Sequence, residues 1–281
     1  PEGSIANAVL PAACAARGLT GFRMVDCMLG ALSKMLPDKV CAASDGGNSG
    51  VSIGGYDANR KPFIYVDFAC GTWGGRPWAD GLQGNSNMFA NMASQSVEVI
   101  EAEQPVEILA YELLADRAGA GKFRGGAPYY RDYRFTETEA VLQIRTDRSR
   151  FRPYGLYGGL PGKRSANYLN PDQENKKLDS KPTMTIKKGN VFRHELAGGG
   201  GWGDPLERDP DLVLRDVRDE LVSSDSAYKD YGVVLNADGR VVDTAATISR
   251  RAELSSDRDW TDPPAVAWDD KGTNQALEAI E

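Results

Sequence analysis

The sequence predicts an α+β fold: a glycine-rich, mainly antiparallel β body, preceded by a helical segment and followed by a helix–hairpin–helix. Two observations carry this reading. Strand-like runs succeed one another between glycine clusters, with no helix between neighbours to set up a βαβ rhythm. Helical periodicity, with apolar residues three and four apart, falls at the two ends of the chain.

At the first end, Thr20 is placed to cap a helix. Phe22, Val25, Leu29, Leu32 and Leu36 share one face of it, and Pro37 stops it. The alanine-rich stretch 11–17 is a shorter and weaker helical segment. Residues 51–53 and 63–68 alternate as strands around the turn chemistry of 57–61. Residues 97–100 and 106–114 read as strands, 122–126 as a turn, and 129–135 and 140–145 as strands. The polar, charged stretch 170–181 reads as an exposed loop, and 183–186 with 191–194 as a strand pair around Lys188-Gly189. Asp209 then caps a helix with Pro210 at its first position and Leu214, Val217 and Leu221 on one face. Residues 233–235 and 240–242 flank Asn236-Ala237-Asp238-Gly239, a hairpin signal, and Asp243 caps a short helix to about Leu254. The expected organisation is a body at 1–205, the helix–hairpin–helix at 206–254 and an irregular tail at 255–281.

Composition removes several function classes. A hydrophobic fraction of 41% and a charged fraction of 26% are those of a globular chain rather than a disordered one. The net charge of −7 argues against nucleic-acid and membrane-surface partners, which need a basic face. No apolar run approaches the roughly 18–20 residues of a membrane span. The chain opens at Pro1 without a secretory signal, so its true start is expected elsewhere. Cys14, Cys27, Cys41 and Cys70 make no C-x-x-C pair and read as lone buried thiols of a cytoplasmic protein. His194 is the sole histidine, whereas a self-contained metallohydrolase needs two or three imidazoles or a dense carboxylate set. No metal site is therefore expected in this chain.

Four glycine clusters stand out, at 45–50, 71–75, 119–126 and 198–205. Glycine permits positive φ and close backbone approach, so such segments suit anion binding or tight crossings. None has the Walker spacing, and no G-x-G-x-x-G follows a strand and opens a helix. In this order, however, the clusters resemble the hydantoinase B family, which includes N-methylhydantoinase, the corresponding half of 5-oxoprolinase, caprolactamase-type enzymes and subunits of ketone carboxylases. The resemblance is carried by the opening Pro1-Glu2-Gly3-Ser4-Ile5, Gly30-Ala31-Leu32, Asp80-Gly81, and Val97-Glu98-Val99 with Glu101. It continues through 119–126, Asp147-Arg148 with Arg150-Phe151, the Gly198-to-Pro205 run and Tyr231-Gly232-Val233-Val234, spanning about residues 1 to 254.

The resemblance implies a subunit roughly twice this length, matched from its middle. An N-terminal half carrying a divalent metal is then expected elsewhere, together with an A-type subunit that binds ATP with Mg. The implied activity is ATP-dependent opening of a cyclic amide of hydantoin, oxoproline or lactam type through a phosphorylated carbonyl. A ketone carboxylase subunit and a non-catalytic scaffold half are the alternatives. This sequence also departs from the family: where many relatives show His-x-His-Met after the Asp-Gly pair, it has Asn85-Ser86-Asn87-Met88. Asparagine hydrogen-bonds but cannot shuttle a proton near neutrality.

Candidate site residues follow. Asp80 and Glu101 flank the substituted segment and are candidates to orient substrate or water, against the commoner roles of loop capping and ion pairing. His194 is either a proton relay at a subunit interface or a structural imidazole bonded to backbone. Asp45, in a glycine loop, and Asn85 and Asn87 are candidate substrate contacts. Arg148, Arg150 and Arg152 alternate as if on one face of an extended stretch. Arg148 and Arg150 could bind a carboxylate or phosphate there, or the row could be solvated.

Overall fold

The computed structural model describes residues 1–14, 17–86, 88–256 and 266–267. Ala15, Ala16, Asn87 and most of the 255–281 tail lie outside the described residues.

The α+β expectation holds. Two antiparallel sheets face each other across one core. The four-stranded sheet has the order β2-β1-β5-β9, with β1 Asn48–Tyr56, β2 Pro62–Cys70, β5 Glu139–Arg145 and β9 Thr183–Lys187. The five-stranded sheet has the order β3-β4-β10-β7-β8, with β3 Val106–Leu113, β4 Tyr129–Phe135, β10 Val191–Glu195, β7 Ala166–Leu169 and β8 Lys176–Leu178. A two-residue strand, β6 Gly155–Leu156, pairs with β11 Val266–Ala267. Alternate residues point inward, as the pleat dictates. Val51, Ile53 and Leu142 from one sheet therefore meet Tyr133, Phe135 and Phe192 from the other.

Several local expectations needed correction. The segment at 97–100 is not a strand but the start of helix α2 Val97–Glu103. Ile100 is fully buried, Glu98 sits in the first turn where the helix dipole favours it, and Gln104 N–H closes on the Ile100 carbonyl. A three-residue spacing of Val97 and Ile100 decides this, and four residues are too few to separate it from alternation. The loop at 170–181 contains β8. The turn at Lys188-Gly189 exists, with Gly189 at φ +85°, but its two strands do not pair with each other. β9 joins β5 in one sheet and β10 joins β4 in the other, so the chain changes sheets there, as it does between β4 and β5. The expected tail hairpin, by contrast, is present: Leu235 bridges Val242, and the Asn236 and Asp243 N–H groups reach the Val241 and Val234 carbonyls. Cys14 and Cys27 are exposed, Cys41 is half-buried and Cys70 is buried. The exposed pair lies on the opening segment and on α1 Arg17–Ser33, both of which face solvent over much of their length.

The glycine clusters form the centre of the molecule. Gly198 to Gly201 run through it as an extended segment whose N–H groups go to the carbonyls of Lys163 (3.2 Å), Gly126 (3.1 Å), Ala43 (2.9 Å) and Leu160 (2.8 Å). The first and fourth bonds reach the same neighbouring segment, a three-residue repeat like that of a threefold extended helix. In return, Gly199, Gly200 and Gly201 accept from Gly119, Gly75 and Leu156. Backbone therefore packs directly on backbone. A Cβ at Gly200 would lie 1.9 Å from the Tyr154 carbonyl oxygen, and one at Gly199 2.1 Å from that of Trp73. Residues 122–126, expected as a turn, are part of this mesh, with Phe123 and Trp202 exchanging both backbone bonds.

Helices α3 Pro210–Arg218 and α4 Ser224–Asp230 pack on one side of the mesh, where Val213 and Ala227 join Tyr231, Val233 and Ala120, and α5 Thr244–Ser256 is tied on by Thr247 Oγ1, which accepts from Val234 N–H (3.0 Å). Asp209 and Asp243 cap α3 and α5 as expected, accepting from Asp211 and Ala246 N–H. No helix of the described residues is long and apolar enough to cross a membrane.

Gly200→Ala should cost more than about 3 kcal/mol or abolish soluble folding, because neither backbone at the contact can retreat. Gly54→Ala, whose methyl would meet the nearest atom at an ordinary 3.6 Å, should leave the denaturant midpoint nearly unchanged. Denaturant unfolding of the two variants separates these outcomes.

Candidate functional site

The structure distributes the candidate residues over several places and brings two of them together. Asp45 leads from the loop after α1 into β1, and Arg148 lies in the loop after β5. They meet beside α1, together with Arg23, Asp26 and Asp147. Arg148 takes φ +63°. That left-handed turn ends the extended run, so the alternation expected of Arg148, Arg150 and Arg152 is broken. Arg148 is buried, Arg150 is exposed, and Arg152 bonds the carbonyls of Gly162 and Pro161.

Within the cluster Arg148 donates to Asp26 Oδ2 (2.6 Å) and to the carbonyls of Ser44 (3.1 Å) and Asp45 (3.1 Å). Arg23 pairs with Asp26 (2.8 Å) and Asp147 (3.0 Å) and donates to the Asp45 carbonyl (2.7 Å). Both guanidinium groups thus meet Asp45 at its backbone, and the charges they balance are those of Asp26 and Asp147. The Asp45 carboxyl receives the Gly47 N–H (2.9 Å) and lies over Gly71, where a Cβ would sit 1.8 Å from its carbon. Burial pushes Asp45 up to about 7, against the pull of the Gly47 bond and of Arg23 and Arg148. The cluster can hold or release a proton near neutrality.

Asp80 lies elsewhere. Its carboxylate receives the Arg124 N–H (2.8 Å) and both arms of Arg208 (2.6 and 2.8 Å), and Arg208 and Arg124 share Asp216 of α3. Burial would raise Asp80, but the hydrogen bonds and charge of Arg208, with Arg124, outweigh it and hold the carboxyl below its usual range. This clasp ties the helical tail to the mesh. His194 points into the sandwich, where its Nδ1 bonds Asn167 Oδ1 at 2.8 Å. The Asn167 amide nitrogen is committed to the Asp179 carbonyl and Thr146 Oγ1, so the ring carries its proton on Nδ1. Burial lowers His194 to about 4, against the Ala166 backbone and the charge of Asp67. Glu101 is exposed on α2 and accepts from Ile108 N–H (2.8 Å), joining α2 to β3. Asn85 is exposed on the loop after Gly84, and Asn87 lies outside the described residues.

The sequence reading overlooked Arg23, Asp26, Asp67, Arg131 and Tyr133. Asp67 accepts from Arg131 (2.6 Å) and from the Tyr133 hydroxyl (2.7 Å) inside the sandwich. The usable signal was phase: Asp67 falls on the inward alternation of β2 with Tyr65 and Ala69, and Asp26 lies seven residues from Leu19 and from Ser33 on the inward face of α1. Among the described residues, no three of His, Cys, Asp and Glu gather to hold a metal ion.

The comparisons with known proteins agree with this architecture. The family described as Hydantoinase B/oxoprolinase matches residues 1–205. The chain belongs to that family. An uncharacterised protein of Methanocaldococcus jannaschii is 37% identical over 250 residues, 88% of this chain and 43% of its own length. The caprolactamase subunit beta of Pseudomonas jessenii is 31% identical over 265 residues, 90% of this chain and 45% of its own. The crystal structure of the ATP-dependent caprolactamase from the same organism superposes with a TM-score of 0.71 at 27% identity, covering 79% of this chain and 40% of that one. The chain of this hydantoinase B family member thus spans less than half the length of these relatives.

Two titrations follow. With Asp45 at about 7 instead of 3.8, folding retains a proton that the unfolded chain has lost, so stability falls as pH rises from about 4 to 7 and is level above. Asp45→Asn should remove that slope and raise the melting temperature at pH 8 relative to the parent, by an increment that shrinks toward pH 5. The ceiling is about 4 kcal/mol. His194 has the opposite course: the unfolded imidazole takes up a proton below about 6.5 and the folded one below about 4, so acidification through that window destabilises. The single histidine resonance in NMR should show no titration between pH 8 and pH 5.

Proposed function

We propose that this chain is the C-terminal half of a hydantoinase B-type subunit, working in an ATP-dependent enzyme that opens a cyclic amide. The family match over residues 1–205, joined to the superposition on an ATP-dependent caprolactamase, is the observation that supports it. An unactivated lactam is a poor electrophile. Phosphorylating its oxygen supplies a leaving group, a positioning and charge-stabilising task of the kind NTP-dependent enzymes perform. In this reading an A-type subunit binds ATP with Mg and makes that phosphate ester. The N-terminal half of the B-type subunit carries the divalent metal, for which this chain's described residues offer no ligand group.

Among the candidates, Asp45 has chemistry suited to passing a proton at neutral pH, and Arg148 with Arg23 holds its backbone in place. Asn85 stands exposed to meet substrate or partner, and Asn87 belongs to the same substituted segment. Asp80, Glu101 and His194 act as positioning residues through the contacts above, and Arg150 is free at the surface for an anionic group.

The test is reconstitution of this chain with the A-type subunit and the N-terminal half, followed by ATP-dependent ring opening across hydantoin, oxoproline and lactam substrates. Asp45→Asn should lower kcat by at least about 100-fold with the complex still assembled, the scale of losing a general acid or base. Full activity of that variant would favour the scaffold role, and ATP-dependent fixation of bicarbonate onto a ketone would replace the hydrolase with a carboxylase.

A further inference from the structure

Helix α1 leaves part of its apolar stripe uncovered by the body, although Leu29 packs against the cluster of Val40, Tyr154 and Leu156. Phe22, Val25, Leu29 and Leu32 share a face, and Leu36 follows just past the helix end, yet the residues the helix buries are Leu19, Asp26 and Ser33. Phe22, Val25 and Leu29 are half-covered, whereas Leu32 and Leu36, with Met28 beside them, are exposed. Polar bonds do much of the anchoring on the inner side: the hydroxyls of Tyr154 and Tyr157 donate to the Asp26 and Ser33 carbonyls, and Arg148 holds the Asp26 carboxylate. An amphipathic helix normally buries its apolar stripe.

Two neighbouring elements continue the same surface. Among residues 1–14 none is buried, and Ile5 and Leu10 are 86% and 90% exposed. This segment leaves a groove of about 610 Å³ along the first turns of α1. On the other side of the helix start, a groove of about 420 Å³ runs between Phe22 and the outer faces of β1 and β2. There the edge strand β2 turns Val66 and Phe68 outward, at 44% and 46% exposure, and Ile64 continues the outward face further along the strand at 70%. The opposite edge of the same sheet, β9, exposes Thr183, Thr185 and Lys187, the polar chemistry of an edge that meets water. One edge is dressed for solvent and the other is not.

We infer that this continuous surface, from the opening segment across the α1 stripe to the outer face of β2, is where the remaining half of the B-type subunit packs. The inference rests on the split-subunit reading above and adds the face that the second half covers. Two observations single out that occupant. The opening segment lies within the family match, yet none of residues 1–14 is buried. The relatives carry more than half of their length outside the matched region, ample to cover such a patch.

A photo-crosslinking residue placed at Leu32, Ile64 or Thr185 of the tagged chain, purified from its own source with its partners, tests this. Crosslinks from Leu32 and Ile64, and none from Thr185, to a polypeptide whose sequence is the rest of a B-type subunit are expected. The combined variant Leu32→Glu with Ile64→Glu should weaken that association at least tenfold with an unchanged circular dichroism spectrum, since both side chains are exposed. Crosslinks to that polypeptide from Thr185 alone, or from Leu32 and Ile64 to a second copy of this chain, would overturn the assignment of the surface. Absence of any such polypeptide from the purified assembly would overturn the split-subunit reading itself, and the surface with it.

Discussion

The contact of backbone with backbone along Gly198 to Gly201 is the constraint on which the rest of this molecule depends. Buried peptide groups must be paired, and a helix or sheet pairs them within one element or between two neighbours. Here the pairing is spread over at least four segments that come from distant parts of the sequence: 42–43, 73–75, 119–126 and 153–163. Each segment can approach because glycine leaves no Cβ in the way, and each then fixes something attached to it. The 42–45 segment leads to the Asp45 cluster, 119–126 carries Arg124 to the tail clasp, and 153–163 brings Tyr154 and Tyr157 under α1.

The charged clusters play a different part. Arg23, Arg148, Asp26 and Asp147 are mutually balanced around a carboxyl that lacks a countercharge of its own, and Arg124, Arg208, Asp80 and Asp216 form a second balanced set. Breaking one member of such a set leaves a buried charge exposed to low dielectric, which costs more than the intact pair contributes. The first set leaves a proton-carrying group beside it. The second is saturated, with Asp80 accepting from three donors, and its evident work is to hold the helical tail to the mesh.

What could be read in the sequence was local. Asp209-Pro210 announces α3 because cap and first-turn residues act within one turn, and the turn at 57–61 announces β1 and β2 because a hairpin is a short-range object. What escaped was relational. Lys188-Gly189 marks a turn, but which sheet each flanking strand joins depends on β4 and β5, some fifty residues away. The glycine clusters were visible one by one, and their convergence was not, since no side-chain pattern records a contact made by main chain. The spacing in α1 shows which residues share a face, but not what that face meets. Asp26 and Ser33 face inward, and Met28 and Leu32 stay exposed. For the same reason, Asp45 and Arg148 could be suspected separately but not paired.

The mesh also bears on how order in this protein is measured. Its segments have no helical ladder and little sheet ladder, so a secondary-structure tally counts residues 115–128 and 196–204 almost wholly as coil. Many of their amides are nevertheless bonded to carbonyls of other segments. In hydrogen-exchange terms the slowest-opening unit need not coincide with the most regular one. A spectroscopic estimate of folded content would therefore undercount this chain, missing a part whose backbone is bonded segment to segment.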